Sequence, residues 1–245
     1  MRNIAITQFR LTVAALATLA LAACSSAQVS SINVFDSGGG KPDRVVVGAI
    51  VVPPGSVSLD ASIAAKLRRR ANSEDAAMAR QRLTSEVSSV LTQRVVERLT
   101  RAGLPATSGL STMERADSRV LLIDGSVTEI NEGNRMRRNV IGFGAGKSQV
   151  SADVTVSMAD TSGRKQLMMF RAEADSGRRP GAVATAPVSA ARGAAAVGAA
   201  AGAASSVVSE KLRADVEALA KNLGDAIADK VIDYAVSQGW IAKAA

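Results

Sequence analysis

The stretch VSADVTVSM at residues 150–158 decides the fold, because apolar and small polar side chains alternate strictly along it. A period of two places every second side chain on the same face, so the stretch predicts a half-buried β-strand. The turn DTSG at residues 160–163 follows, and residues 165–175 predict the hairpin partner of the strand. Upstream, residues 118–130 predict a further strand, which gives an antiparallel meander.

Two helices and one more strand complete the pattern. Apolar residues recur at spacings of three and four over residues 73–102, and again from near residue 209 to near residue 238, which predicts two amphipathic helices. The β-branched run at residues 44–52 predicts a buried strand. The order β-α-β-β-β-α, with a right-handed crossover, predicts an α+β fold. We expect a two-layer sandwich, in which both helices cover one face of a mixed four-stranded sheet.

The N-terminal residues have the order of an export signal. Arg2 and Arg10 precede an uncharged apolar run at residues 11–23, which is too short to be a stable membrane-spanning helix. The run ends in Leu21-Ala-Ala-Cys24, which resembles the lipobox of bacterial lipoproteins. This resemblance implies cleavage before Cys24 and attachment of lipid to its sulfur. We therefore expect a lipoprotein on the periplasmic face of the outer membrane, with an inner-membrane-anchored periplasmic lipoprotein as the alternative.

These features divide the chain into three parts. Residues 1–23 are predicted to be a lipoprotein signal peptide, and the Ser- and Gly-rich residues 24–43 a flexible tether from the lipidated cysteine. Residues 44–240 are predicted to form a single α+β domain with a Gly/Ala-rich insertion at about 177–209. For this insertion a loop, a helical extension and a membrane-associated segment all remain open.

Composition excludes several classes of chemistry. The chain has no histidine and Cys24 is its only cysteine, so Ser-His-Asp triads, Cys-His dyads, Cys or His metal sites and internal disulfides are excluded. The formal net charge of +8 becomes +6 when Arg2 and Arg10 leave with the signal peptide, which favours an anionic partner. Aromatic residues are too few for a base-stacking platform, so we expect no nucleic acid partner.

The run GFGAGKS at residues 142–148 superficially suggests a phosphate-binding loop. Such a loop requires glycine where this chain has Ile141, and a helix directly after the motif, whereas the following residues predict a strand. We therefore expect no nucleotide here. The run is interpreted as a glycine-rich connection that uses backbone conformations closed to other residues.

Four basic residues lie in or beside this connection: Arg135, Arg137, Arg138 and Lys147. They form a candidate site for an anionic partner, such as a lipid headgroup or an acidic protein surface. A solvated charge run that keeps the connection exposed is the alternative interpretation.

The pattern GNRxxR at residues 133–138, the run IGFGAGKS at 141–148, the alternating strand and the late helix together are similar to a domain family of unknown function in Gram-negative lipoproteins. The resemblance would extend over residues 44–238. That family has no established activity, so the resemblance implies neither a catalytic residue nor a cofactor.

The expected function is that of a non-enzymatic interaction or assembly module in the periplasm. Its partner would be an envelope protein or a second copy of the chain, with no cofactor and no metal. Two alternatives remain open. One is a periplasmic hydrolase that uses carboxylates, although acids such as Glu173 and Asp175 show no diagnostic pairing. The other is a binder of anionic lipid or glycan through residues 135–138.

Overall fold

The computed structural model describes residues 26–35, 39–109, 118–134, 137, 141, 145–177 and 205–242. The predicted signal peptide and most of the predicted Gly/Ala-rich insertion lie outside these residues. The described elements are β1 (Ser26–Val34), β2 (Arg44–Val47), β3 (Val57–Ser58), α1 (Ile63–Ala71), α2 (Ala76–Arg101), β4 (Ala106–Ser108), β5 (Val120–Asn131), β6 (Gln149–Asp160), β7 (Gly163–Asp175) and α3 (Ser205–Ser237). In this described part, no helix is long and apolar enough to cross a membrane.

The strands form one mixed sheet. Its order is β1-β7-β6-β5-β2-β4, and β3 pairs with the C-terminal end of β5. Strand β2 runs parallel to β4 and β5, whereas β5, β6, β7 and β1 are successively antiparallel. The predicted α+β class and mixed sheet are confirmed. The predicted count of four strands is wrong, because the sheet has seven, and β3 and β4 are too short, at two and three residues, to show a period of two.

Strand β1 lies inside the segment that was predicted to be a flexible tether. It pairs antiparallel with β7, from Ser26 opposite Asp175 to Val34 opposite Met168. Its Ser, Gln and Asn residues are typical of a linker. They also occur in edge strands, because an edge strand pairs with the sheet along one edge only and leaves its other edge in solvent. The tether prediction therefore does not hold for Ser26–Val34.

The two long helices share one core with the sheet. Helix α2 begins after Asp75, whose Oδ1 accepts the Met78 N–H at 2.7 Å, and it buries apolar residues at a spacing of four. Helix α3 buries apolar residues at spacings of three and four. Both helices lie close to where the sequence pattern predicts them. Fully buried side chains of this shared core include Leu91, Leu99, Leu121, Ile123, Phe170, Leu219 and Leu223.

Ion pairs fix the two long helices side by side. Arg94 donates from Nε to Oδ1 of Asp225 at 2.9 Å and from Nη2 to Oδ2 at 3.0 Å, which is a bidentate pair. One turn further along, Arg98 Nε donates to Asp229 Oδ1 at 2.9 Å. Gly224 lets the helices approach, since a Cβ there would lie 2.9 Å from the Cβ of Arg94.

Core packing yields a first prediction. Leu91 is fully buried between α2 and the rest of the core, so Leu91→Ala is expected to lower the free energy of unfolding by about 3 kcal/mol, as truncation of a buried leucine does. Leu67 on α1 is 59% exposed, so Leu67→Ala is expected to change it by less than about 0.5 kcal/mol. Urea denaturation of both variants measures the difference, and similar losses would contradict the assignment of the core.

Candidate functional site

The start of β1 and the predicted basic connection lie at the same end of the sheet. Ser26 lies opposite Asp175, Asp175 opposite Gln149, and Gln149 opposite Asn131, so four strands have their ends side by side. The connection at residues 132–148 leaves the sheet and returns to it here. We call this the Ser26 end of the sheet.

Two glycines of the connection lie against neighbouring backbone, Gly133 against Gly146 and Lys147, and Gly146 against Asn134. Gly133 and Gly146 have φ angles of +71° and +72°, in the left-handed region that favours glycine. The Asn134 N–H donates to the Gly146 carbonyl at 3.1 Å. A Cβ on Gly133 would overlap the carbonyl oxygens of Gly146 and Lys147, and one on Gly146 would overlap that of Asn134. At Gly146 the interpretation of the run at residues 142–148 as a glycine-dependent connection is confirmed, and Gly133 is a second such glycine that was not predicted.

The Gly-Lys-Ser run also attaches the connection to the end of β7. Lys147 Nζ lies 2.9 Å from Asp175 Oδ2. The buried Ser148 donates its hydroxyl to the Glu132 carbonyl at 2.7 Å and its N–H to Ser176 Oγ at 3.1 Å. Lys147, a candidate for binding an anionic partner, is thus engaged by a carboxylate of its own chain.

The structure describes only part of the predicted site. Arg137 is exposed, and its backbone N–H donates to Asn134 Oδ1 at 3.0 Å. Arg135 and Arg138 lie outside the described residues, as does Cys24. Of the four basic candidates, therefore, the structure describes Arg137 as solvent-exposed and Lys147 as ion-paired.

Neighbouring hydrogen-bond donors favour the deprotonated form of two carboxylates of the sheet. Hydrogen bonding from Arg171, at 2.7 and 3.0 Å, lowers the pKa of Asp153 below its ordinary value. The hydroxyl of Ser162, and then its backbone N–H, lower the pKa of Asp160. A general acid in a carboxylate hydrolase requires the opposite shift. Neither group has the electrostatics of such an acid.

Helix α1 is a surface feature that the sequence pattern did not predict. Ser62 caps the helix by accepting the Ala65 N–H at 3.3 Å. The buried Asp60 accepts the Ser62 N–H at 2.9 Å, and its own N–H donates to Glu132 Oε2 at 2.8 Å. These bonds attach α1 to the Ser26 end of the sheet. The sequence signal for this helix is the spacing of four between Ile63 and Leu67, which follows a serine cap.

A small cavity of about 90 Å³ separates α1 from α2. Charged side chains of both signs line it, among them Arg68, Glu74 and Arg82. Glu74 and Arg82 pair with each other at 3.0 Å. Ala65 and Leu83 line the cavity as well, so the space between α1 and α2 is of mixed apolar and charged character.

Apolar side chains are exposed at the end of β1. Ile32, Val34 and Phe35 are 43%, 59% and 56% exposed, and Met169 of β7, which lies opposite Asn33, is 39% exposed. Met169 shares the face of Asn33, whereas Val34 lies opposite Met168, on the other face of the sheet. We call the three residues at the end of the strand, Ile32, Val34 and Phe35, the β1 apolar patch. This patch was not predicted, because residues 24–43 were expected to form a flexible tether.

Comparison with known proteins gives a family but no activity. The chain belongs to a family described as a domain of unknown function (DUF4410), whose model matches residues 54–193. The expectation of a family without assigned function is thereby confirmed. No curated protein matches the chain.

Two solved structures show distant similarity. One is the PelC dodecamer from Paraburkholderia phytofirmans, which is 11% identical over 82% of this chain and 97% of that chain, with a TM-score of 0.32. The other is a substituted form of the same dodecamer, 12% identical over 82% of this chain and 98% of that chain, with a TM-score of 0.28. Similarity at this level transfers neither a fold nor a function.

Proposed function

We propose that this protein is a lipid-anchored lipoprotein of the outer membrane, facing the periplasm, that works by contact with another chain rather than by catalysis. The anchor is Cys24, at the end of an export signal and the only thiol of the chain. The partner is an envelope protein or a second copy of the same chain. The observation that carries the proposal is the β1 apolar patch.

The patch has no role in the described core that would explain its apolar character. Val34 and Phe35 expose more than half of their surface, whereas the apolar residues of the core expose less than a tenth. Apolar side chains gathered at one place on a surface mark sites of association, because covering them releases the water around them. Here they lie on an edge strand, the part of a sheet most open to another chain.

The edge of β1 favours contact through side chains rather than addition of a long strand. Its pairing with β7 shifts register between Ser30 and Asn33, and Ser31 has a φ of +51°. Such a bulge interrupts the regular row of hydrogen-bonding groups on the open edge. A partner would therefore cover Ile32, Val34 and Phe35 as an apolar anchor, with polar contacts around them.

Site-specific crosslinking in cells tests this proposal. A photoreactive amino acid replaces Val34 in the full chain at native expression, and in a second strain it replaces Val51. The two valines are 59% and 60% exposed, so Val51 is a matched control outside the patch. We expect adducts to one envelope protein, or to a second copy, from position 34 but not from position 51.

The proposal fails if position 34 gives no adduct, or if both positions give the same adducts at equal yield. Phe35→Ser provides a second measurement, since loss of a central apolar anchor should reduce the adduct from position 34 about tenfold or more. An unchanged adduct in that variant would place the contact elsewhere.

A further inference from the structure

The outer face of α1 combines apolar and basic side chains. Ile63 and Leu67, one turn apart, are 77% and 59% exposed, and Lys66 and Arg70 beside them are also exposed. With 100° between successive residues, these four side chains fall within one third of the helix circumference. Ala65, the one buried residue of α1, points to the opposite side.

This outer face does not hold the helix in place. Attachment comes from the inner side, where Arg69 Nη2 donates to the Asp60 carbonyl at 3.1 Å and Ser62 caps the first turn. Ile63 and Leu67 add little to the buried core, because most of their surface is in water. Two large apolar side chains on an exposed turn are therefore available for something outside the chain.

The charges on α1 itself are all positive. The sequence of α1, IAAKLRRRA, has four basic residues and no acidic one. At the start of α2, Met78 is 60% exposed and Arg80 is exposed, so the combination of exposed apolar and basic side chains continues there. The nearby Glu74 is paired with Arg82 and so does not neutralise Lys66 or Arg70.

The position of α1 puts it close to the start of the chain. Ser58, at the end of β3, pairs with Asn131 at the Ser26 end of the sheet, and α1 begins five residues later. Cys24 precedes Ser26 by two residues, a separation that spans at most about 7 Å. If Cys24 carries lipid, as the proposed function has it, α1 and the membrane lie at the same end of the molecule.

We propose that α1 lies flat on an anionic phospholipid bilayer, with Ile63 and Leu67 in the interfacial region and Lys66 and Arg70 at the phosphate groups. Short helices with this combination bind where headgroups meet acyl chains, because apolar burial and attraction to anionic lipid act together. A second lipid contact besides the anchor fixes the orientation of the domain on the membrane.

Other partners suit this face less well. A helix of nine residues is about 14 Å long, too short to supply the roughly 800 Å² per partner that a stable protein interface buries. Nucleic acid would use the basic residues but leave Ile63 and Leu67 in water. A bilayer uses both kinds of side chain.

A fluorescent probe at α1 tests this contact. Residues 24–245, the chain without its predicted signal peptide, carry Cys24→Ser and Leu67→Cys, and a polarity-sensitive dye is attached to the new thiol. Vesicles of phosphatidylglycerol are compared with vesicles of phosphatidylcholine, at low and at high salt. We expect a blue shift of the dye on the anionic vesicles, which weakens at high salt and is small on the neutral ones.

Two matched changes localise the effect. The double change Lys66→Glu and Arg70→Glu should lower the affinity for anionic vesicles at least about 30-fold, since each basic side chain near the surface contributes about fivefold. A dye at Thr161→Cys, in the exposed turn between β6 and β7 at the other end of the sheet, should show no shift.

The inference is overturned if the dye at position 67 shows no shift on anionic vesicles, or if the double change leaves the shift unaltered. Equal shifts at positions 67 and 161 would overturn it as well. Because the tested chains all lack Cys24, the result is independent of the anchor. Failure of the proposed lipidation would appear instead in the fractionation of the unlabelled protein.

Discussion

Replacing Cys24 with alanine is expected to abolish lipid attachment and to remove the protein from the salt-washed membrane fraction. Cys24 is the only thiol of the chain, so no other side chain can form the thioether. Each buried methylene contributes roughly 0.8 kcal/mol, so the acyl chains of one lipid account for nearly all of the membrane affinity. Envelope fractionation after a high-salt wash, together with incorporation of labelled palmitate, measures the loss.

Ser25→Ala is the control for Cys24→Ala, because it changes the neighbouring residue and keeps the thiol. It should remain membrane-bound and labelled. The high-salt wash matters, since a contact through basic side chains alone is weakened by salt whereas a lipid anchor is not. Membrane retention of the alanine variant after this wash, or its labelling with palmitate, would show that the anchor is wrongly assigned.

Replacing Gly133 with alanine is expected to destabilise the fold by about 4 kcal/mol or more, combining left-handed backbone strain with overlap against neighbouring atoms. Its φ is +71°, and the new Cβ would overlap two carbonyl oxygens, which cannot swing away as a flexible side chain would. Urea denaturation of the full chain, followed by fluorescence of the buried Trp240, measures the change.

Gly239→Ala separates the two contributions to this loss. Gly239 has the same φ of +71°, but nothing lies within 4 Å of the position of its Cβ. It reports backbone strain alone, which we expect to cost about 1 kcal/mol. If the two alanine variants lose the same stability, the close contact between Gly133 and the Gly146 backbone is not significant for the fold.

The regular, long elements could be predicted from the sequence. The sequence of β6 shows a strict period of two, and α2 and α3 show spacings of three and four, because each buries an apolar face along its length. Strand β6 is more buried than this period predicts, since Ser151 and Ser157 on its other face are also buried. Strands β3 and β4 could not be predicted in this way, since two and three residues give too little pattern. Helix α1, with nine residues, offered only a serine cap and one spacing of four. Strand β1 was missed because an edge strand can keep polar side chains.

The candidate site was less predictable than the fold. A run of basic residues indicates charge, but not which charges are already paired. Lys147 pairs with Asp175, 28 positions later in the chain, and only the antiparallel register of β6 and β7 brings them together. By contrast, the glycine-dependent backbone was predicted correctly at Gly146, because a glycine-rich run between two strands is itself a local signal, whereas the same requirement at the isolated Gly133 was not predicted.

Strand β1 also has a mechanical consequence. The proposed lipid attachment precedes its first residue, Ser26, and the β1 apolar patch begins near its last, Val34, so nine residues, or about 30 Å, separate membrane and partner. A pull between the two would act along the strand. Because both contacts lie at the ends of one strand, the covalent backbone of β1 would carry the tension, and neither the hydrogen bonds to β7 nor the helices would have to bear it.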